Sequence, residues 1–162
     1  MTVLDKIVEA AVAALMAALV ILVFLAVVFR YGLNNPLTWS EEVGRVCLVW
    51  VSFLGAYLAH RRAEHIAVTA IVDRLPATLR RWSHLAVTLL FLAFLIVLAW
   101  YGGGYALRFM GSTTPLLDIP IGAVYLAMPV AAGLMALNIL LTLAAALRDR
   151  GKADPSGPEA TP

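Results

Sequence analysis

The 162-residue chain is 62% hydrophobic and 14% charged, with a formal net charge of +2 and a mean hydropathy of +0.90, more apolar surface than a water-soluble core of this size can hide. So small a net charge offers no polyanion-binding surface, and nucleic acid is not expected as a partner. The single Cys47 rules out an intrachain disulfide or a cysteine-rich metal cluster, which leaves the lipid bilayer as the expected solvent and an all-α integral membrane protein with four transmembrane helices as the expected fold class.

The first apolar run spans residues 7–29, from Ile7 to Phe29, and a helix of that length reaches about 35 Å, enough to cross a hydrocarbon core of about 30 Å. It ends in Val28, Phe29, Arg30 and Tyr31 rather than in a small-residue cleavage site, so it reads as an uncleaved anchor. The second span is expected over 41–59. Thr38 and Glu41 have the capping-box spacing in front of it, and Glu41 and Glu42 occupy the first turn, where the helix dipole favours negative charge.

Between the second and third spans, Ile66, Ala70, Ile71 and Leu75 recur at helical spacing beside Glu64, Asp73 and Arg74. The pattern predicts a short amphipathic helix at the membrane interface; a short extended connection is the alternative, since Ile, Val and Thr also favour strands. The third span is expected over 80–107, with Pro76 suited to a first helical position. The Gly102-Gly103-Gly104 run loosens or ends that helix, or packs it closely against a neighbour, and Gly111 with Pro115 ends it firmly. The fourth span, 120–147, starts on Pro120, and Pro129 inside it predicts a kink. Residues 1–148 thus form the four-helix transmembrane domain, and 149–162, rich in Gly, Pro, Ser and charge, a disordered cytoplasmic tail.

Nine of the twelve basic residues fall at the N-terminus (Lys6), in the middle connection (Arg61, Arg62, Arg74, Arg80, Arg81) and in the C-terminal region (Arg148, Arg150, Lys152). The positive-inside rule then puts both termini and the middle connection in the cytoplasm. Arg61, Arg62, Arg80, Arg81 and Trp82 are the expected membrane-interface anchors.

No span carries an ionisable residue near its centre, where such groups usually mark an ion path or a substrate site. The densest polar constellation is Trp39, Glu41, Glu42 and Arg45. Arg45 is four residues after Glu41 and three after Glu42, so either carboxylate can pair with it along one helical face. The cluster is either a contact for a partner protein or a solvated helix cap. His60 and His84 close and open adjacent spans and invite a haem reading, a stand-alone membrane protein binding a redox cofactor, but both sit at the membrane edge among arginines. A small proton-coupled exporter would need an acid embedded in its first span, and Glu9 lies near the cytoplasmic end of that span, with no acid after it until Glu41. Asn138, deep in the fourth span, suits a hydrogen bond between helices. No Ser/His/Asp or Cys/His spacing suggests an enzyme, and no cofactor or metal site is expected.

The ordered set Arg30-Tyr31, Trp39-Ser40-Glu41-Glu42, Arg45, Trp50, Phe53-Leu54-Gly55-Ala56, His65-Ile66 and Leu75-Pro76 resembles the small membrane subunit, DctQ type, of tripartite ATP-independent periplasmic (TRAP) transporters. Thr114-Pro115, Ile119-Pro120 and Tyr125 with Pro129 are similar to the later half of that family. The resemblance implies a non-catalytic scaffold in the bacterial inner membrane. Its partners would be a large multi-span TRAP membrane subunit, which carries the substrate and sodium sites, and a periplasmic substrate-binding protein that delivers an organic acid. It also makes Trp39, Glu41, Glu42 and Arg45 candidates for the partner interface. The substrate would lie on the other polypeptides.

Overall fold

Leucine, valine, alanine and isoleucine fill the apolar runs, and in a bilayer such runs close their backbone hydrogen bonds within a helix. The structure, a computed structural model, describes residues 3–63 and 77–152. It contains α1 (Val3–Gly32), α2 (Ser40–Ala63), α3 (Ala77–Arg108), the short α4 (Ile121–Tyr125) and α5 (Ala127–Lys152). Four segments are long and apolar enough to cross a membrane: Val3–Gly32, Ser40–Arg62, Leu85–Arg108 and Ile121–Ala145.

Helix ends run beyond the apolar cores. α1 takes in Asp5 at its start and Arg30 at its end, the signs the helix dipole favours. It stops where Asn34 turns into the left-handed region at φ 48°, tolerated by its short polar side chain, and the Asn35 N–H reaches back to the Phe29 carbonyl at 3.1 Å. α2 continues past 59 to Ala63, its last turn holding His60, Arg61 and Arg62. α3 begins at Ala77 and stays helical through Gly102, Gly103 and Gly104. The expected surface helix, with His65, Ile66, Ala70, Ile71 and Leu75, lies outside the described residues. So do residues 153–162, which contain most of the expected tail; α5 reaches Lys152.

The fourth span is interrupted as Pro129 requires. Proline offers no N–H to the carbonyl four residues before it and crowds that turn, and the helix breaks at Leu126, between α4 and α5. The flanking bonds survive: Leu126 N–H to the Gly122 carbonyl at 3.0 Å and Val130 N–H to the Leu126 carbonyl at 3.1 Å.

The helices pack in the order α1, α2, α5, α3. Val8 of α1 meets Leu54 and Tyr57 of α2, with Leu134 and Met135 of α5 on the other side of that cluster. Leu92 and Leu95 of α3 meet Ala132, Ala136 and Ile139 of α5. Small residues on α5 let α3 approach closely, the usual means of helix association where lipid tails are as apolar as leucine. No comparable contact closes α1 onto α3 among the described residues, so the row is open and those two helices form its edges.

Two glycines fix the α3 and α4/α5 contact. A Cβ on Gly102 would come 2.5 Å from the terminal methyl of Met128, which can move, whereas a Cβ on Gly122 would run into the Ala106 carbonyl oxygen and the Met110 backbone, which cannot. Gly122→Ala is expected to lower stability by about 1–3 kcal/mol, the range for overpacking a tight site, and Gly102→Ala by less. Thermal unfolding midpoints in detergent check the order; equal midpoints for Gly122→Ala and the unaltered protein would contradict it.

Candidate functional site

The four residues at the N-terminal end of α2 divide their work. Ser40 opens the helix, its hydroxyl donating to the Leu37 carbonyl at 2.6 Å. Glu41 does not complete a cap on Thr38 as the spacing suggests but turns outward to Arg30 of α1, with Nη2 to Oε1 3.4 Å. Both side chains are more than half exposed, so the pair adds little stability. Trp39 is also exposed.

Glu42 is different, with only 8% of its surface exposed. Its carboxylate accepts from the backbone N–H of Leu116 at 3.0 Å and of Leu117 at 3.1 Å, and from the Thr114 hydroxyl. These donors belong to the connection between α3 and α4, folded back on itself by an antiparallel bridge between Thr113 and Pro120. Ile121 N–H donates to the Ser112 carbonyl at 2.8 Å, and Thr114 N–H to the Ile119 carbonyl at 3.0 Å. Asp118 turns the connection at φ 51°, and the Ile119 N–H donates to the Thr114 hydroxyl oxygen at 3.1 Å. One carboxylate thus satisfies two consecutive backbone donors and fastens the connection onto α2. Arg45, expected to pair with Glu41 or Glu42, is exposed and acts on Glu42 through space without closing a salt bridge.

A second polar cluster, not singled out by the sequence reading, lies at the opposite end of α2. Asp5 of α1 is 3% exposed and Tyr57 1% exposed. The Tyr57 hydroxyl donates to Asp5 Oδ1 at 2.8 Å. Arg61 donates from Nε to Oδ1 at 3.0 Å and from Nη2 to Oδ2 at 2.6 Å, a two-pronged grip on the carboxylate. Beside it the more exposed Arg62 pairs with Glu9 at 2.8 Å. The signal was present as two i, i+4 pairs, Asp5 with Glu9 and Tyr57 with Arg61, at ends that a helical hairpin brings together.

Of the remaining expected anchors, Trp82 is 68% exposed. Arg80 and Arg81 lie in the first turns of α3, and their side chains fall outside the described residues. The His60 ring packs against Phe91 with centroids 5.3 Å apart; the His84 side chain is outside the described residues. No group of three or more His, Cys, Asp or Glu side chains placed to hold a metal ion occurs among the described residues. The Asn138 side chain is buried in α5.

Comparison with known proteins adds an independent finding. The family model described as tripartite ATP-independent periplasmic transporters, DctQ component, matches residues 19–149. A putative TRAP transporter small permease protein of Haemophilus influenzae is 33% identical over 146 residues, covering 86% of each chain. The C4-dicarboxylate TRAP transporter small permease protein DctQ of Rhodobacter capsulatus is 26% identical over 172 residues, 85% of this chain and 75% of that one. The isethionate TRAP transporter permease protein DctMQ of Oleidesulfovibrio alaskensis is 33% identical over 118 residues, 72% of this chain but 19% of that longer protein.

The two clusters call for different outcomes on mutation. Arg61→Ala leaves the Asp5 carboxylate buried without its cation and is expected to cost about 3–5 kcal/mol, whereas Arg62→Ala, at a solvated pair, should cost under about 1 kcal/mol; chemical unfolding in mixed micelles compares them, and near-equal losses would contradict the distinction. Glu42→Gln removes the charge that holds two amides. Hydrogen exchange at Leu116 and Leu117 is then expected to speed up, and unchanged exchange would show that the loop holds itself.

Proposed function

Because the chain belongs to the DctQ component family of tripartite ATP-independent periplasmic (TRAP) transporters, we propose that it is the small scaffold subunit of a TRAP-type secondary transporter. In this reading it sits in the bacterial inner membrane with both termini cytoplasmic. It supports a large multi-span membrane subunit during sodium-driven uptake of an organic acid delivered by a periplasmic substrate-binding protein. The family is one of transporter components, not of enzymes.

The observation that carries the scaffold reading is where the charges go. No Asp, Glu, Lys or Arg lies between Ala10 and Phe29, between Val46 and Ala59, between Leu85 and Leu107, or between Ile119 and Leu147. The acidic groups buried at helix ends are committed internally: Asp5 to Tyr57 and Arg61, Glu42 to the backbone of Leu116 and Leu117. A substrate anion or a sodium ion needs ligands at membrane depth, and the large subunit is the place for them.

Support for the partner comes from the DctMQ relative, of which this chain matches 19%; a small component joined to a much larger remainder fits a pair that works side by side. Isethionate and C4-dicarboxylate, in the names of two of the relatives above, are organic anions, which supports that substrate class here. Arg45 and Trp39, exposed beside the fastened connection, are the part of the α2 entrance left available to a partner. Arg61, Arg62, Arg80, Arg81 and Trp82 are proposed to hold the opposite end at the headgroups.

Affinity purification of the tagged chain from its native membrane in mild detergent tests this. Stoichiometric recovery of one much larger polytopic protein is expected; recovery of this chain alone, while other membrane complexes survive the same detergent, would contradict it. Arg45→Glu, which places three acids at one helix entrance, is expected to reduce recovery or uptake. Unchanged yield and uptake would remove the α2 entrance from the interface.

A further inference from the structure

The open row leaves two long edges, α1 and α3, and the two differ in chemistry. The exposed face of α1 is aliphatic, with a shallow groove of about 460 Å³ lined by Leu19, Val20, Val23, Phe24 and Val27. None of these side chains carries a hydrogen-bonding group, and acyl chains satisfy such a surface completely. The exposed face of α3 carries Ala93, Val97, Trp100, Tyr101, Gly104 and Arg108, which recur at three-, four- and seven-residue spacings and so share one side of the helix. Trp100 is 79% exposed and Tyr101 74%. A Cβ on Gly104 would meet nothing within 4 Å, so the glycine leaves an unfilled recess beside the two rings.

Depth makes this face expensive in lipid. In the apolar segment Leu85–Arg108, Trp100 and Tyr101 fall about 5–7 Å from the midpoint at the helical rise, well inside a hydrocarbon half-thickness of about 15 Å. Helical side chains lean toward the N-terminus of their helix, here away from the Arg108 end and toward the middle of the segment. The indole N–H and the phenol O–H are therefore poorly placed to reach headgroups, and a polar group at that depth costs free energy unless it is hydrogen-bonded. Arg108, one turn after Gly104, is exposed at the end of the same stripe and closes no salt bridge among the described residues. Two donors, a glycine recess and an unneutralised cation along one face are complementary to a protein helix that offers acceptors and an acid. The two ring donors, at their depth, do not suit acyl chains.

We propose that this face of α3 is the docking surface for the large membrane subunit, with an apolar helix of that subunit seated over Gly104, hydrogen-bond acceptors facing Trp100 and Tyr101, and an acidic group facing Arg108. The α1 edge faces lipid. The inference rests on the scaffold reading above and goes beyond it by choosing between the two edges.

The test compares recovery of the large subunit with the unaltered chain, with Gly104→Leu, with Arg108→Glu and with Phe24→Leu in α1. Gly104→Leu and Arg108→Glu are each expected to lower recovery on the order of tenfold, as for a hot-spot loss, while Phe24→Leu leaves it unchanged. A second measurement does not require the bulky variant to fold: in a Cys47→Ala background, Gly104→Cys carrying a short maleimide–diazirine reagent should photo-cross-link to the large subunit, and Phe24→Cys carrying the same reagent should not. Cross-linking from Phe24→Cys alone, a Gly104→Cys product consisting of two copies of this chain, or full recovery with both α3 variants would overturn the assignment while leaving the scaffold reading intact. Failure of the unaltered chain to recover any large subunit would overturn the scaffold reading itself, and this inference with it.

Discussion

Hydrocarbon offers no water to replace a missing hydrogen bond, and the polar architecture of this chain follows from that constraint. Among the described residues the charged groups lie toward helix ends or in the connection between α3 and α4, and the two that are nearly buried, Asp5 and Glu42, are supplied with donors from another part of the chain. The two solutions differ. Asp5 is neutralised by a guanidinium and accepts a further hydrogen bond from a phenol, so its ion pair fastens α1 to α2. Glu42 is held by two backbone amides and a hydroxyl, so it fastens a connection that would otherwise expose unpaired N–H groups. α2 carries one fastening at each end and lies between α1 and α5 in the row. It is the element through which the edge helix α1 is joined to the remainder.

Much of the fold was legible because apolar length is a strong signal. The four apolar spans and the break in the fourth near Pro129 follow from residue type and local spacing. The precise use of polar groups was not legible, because it depends on contacts distant in sequence. Glu42 sits three residues before Arg45, and a reading confined to one helix pairs them; the structure instead brings it the amides of Leu116 and Leu117. Glu41 likewise takes Arg30 from the preceding helix in place of a cap on its own. Asp5 was hidden for another reason: it stands at the edge of an apolar run as an ordinary first-turn acid, and only the hairpin of α1 on α2 sets it against Tyr57 and Arg61. The glycine run shows the same limit. Gly102 serves a close approach to Met128 and Pro129, whereas Gly104 is exposed on the opposite side of α3, and sequence alone does not separate the two uses.

An open row of helices with charge-free centres suits a part that adds membrane-embedded surface to another protein. A closed bundle would satisfy its own apolar faces, and a carrier would need ligands at depth. This chain does neither. It spends its polar groups on fixing its own shape, leaving two broad edges for neighbours, and the DctQ family membership supplies the setting in which such a part is used.

As proposed, this chain supports transport without performing it. The most direct measurement is sodium-gradient-driven uptake of the organic acid into proteoliposomes that hold this chain alone, the large subunit alone or both, supplied with the loaded periplasmic binding protein. Uptake is expected when both membrane components are present, and none with this chain alone. Uptake by this chain alone would contradict the proposal.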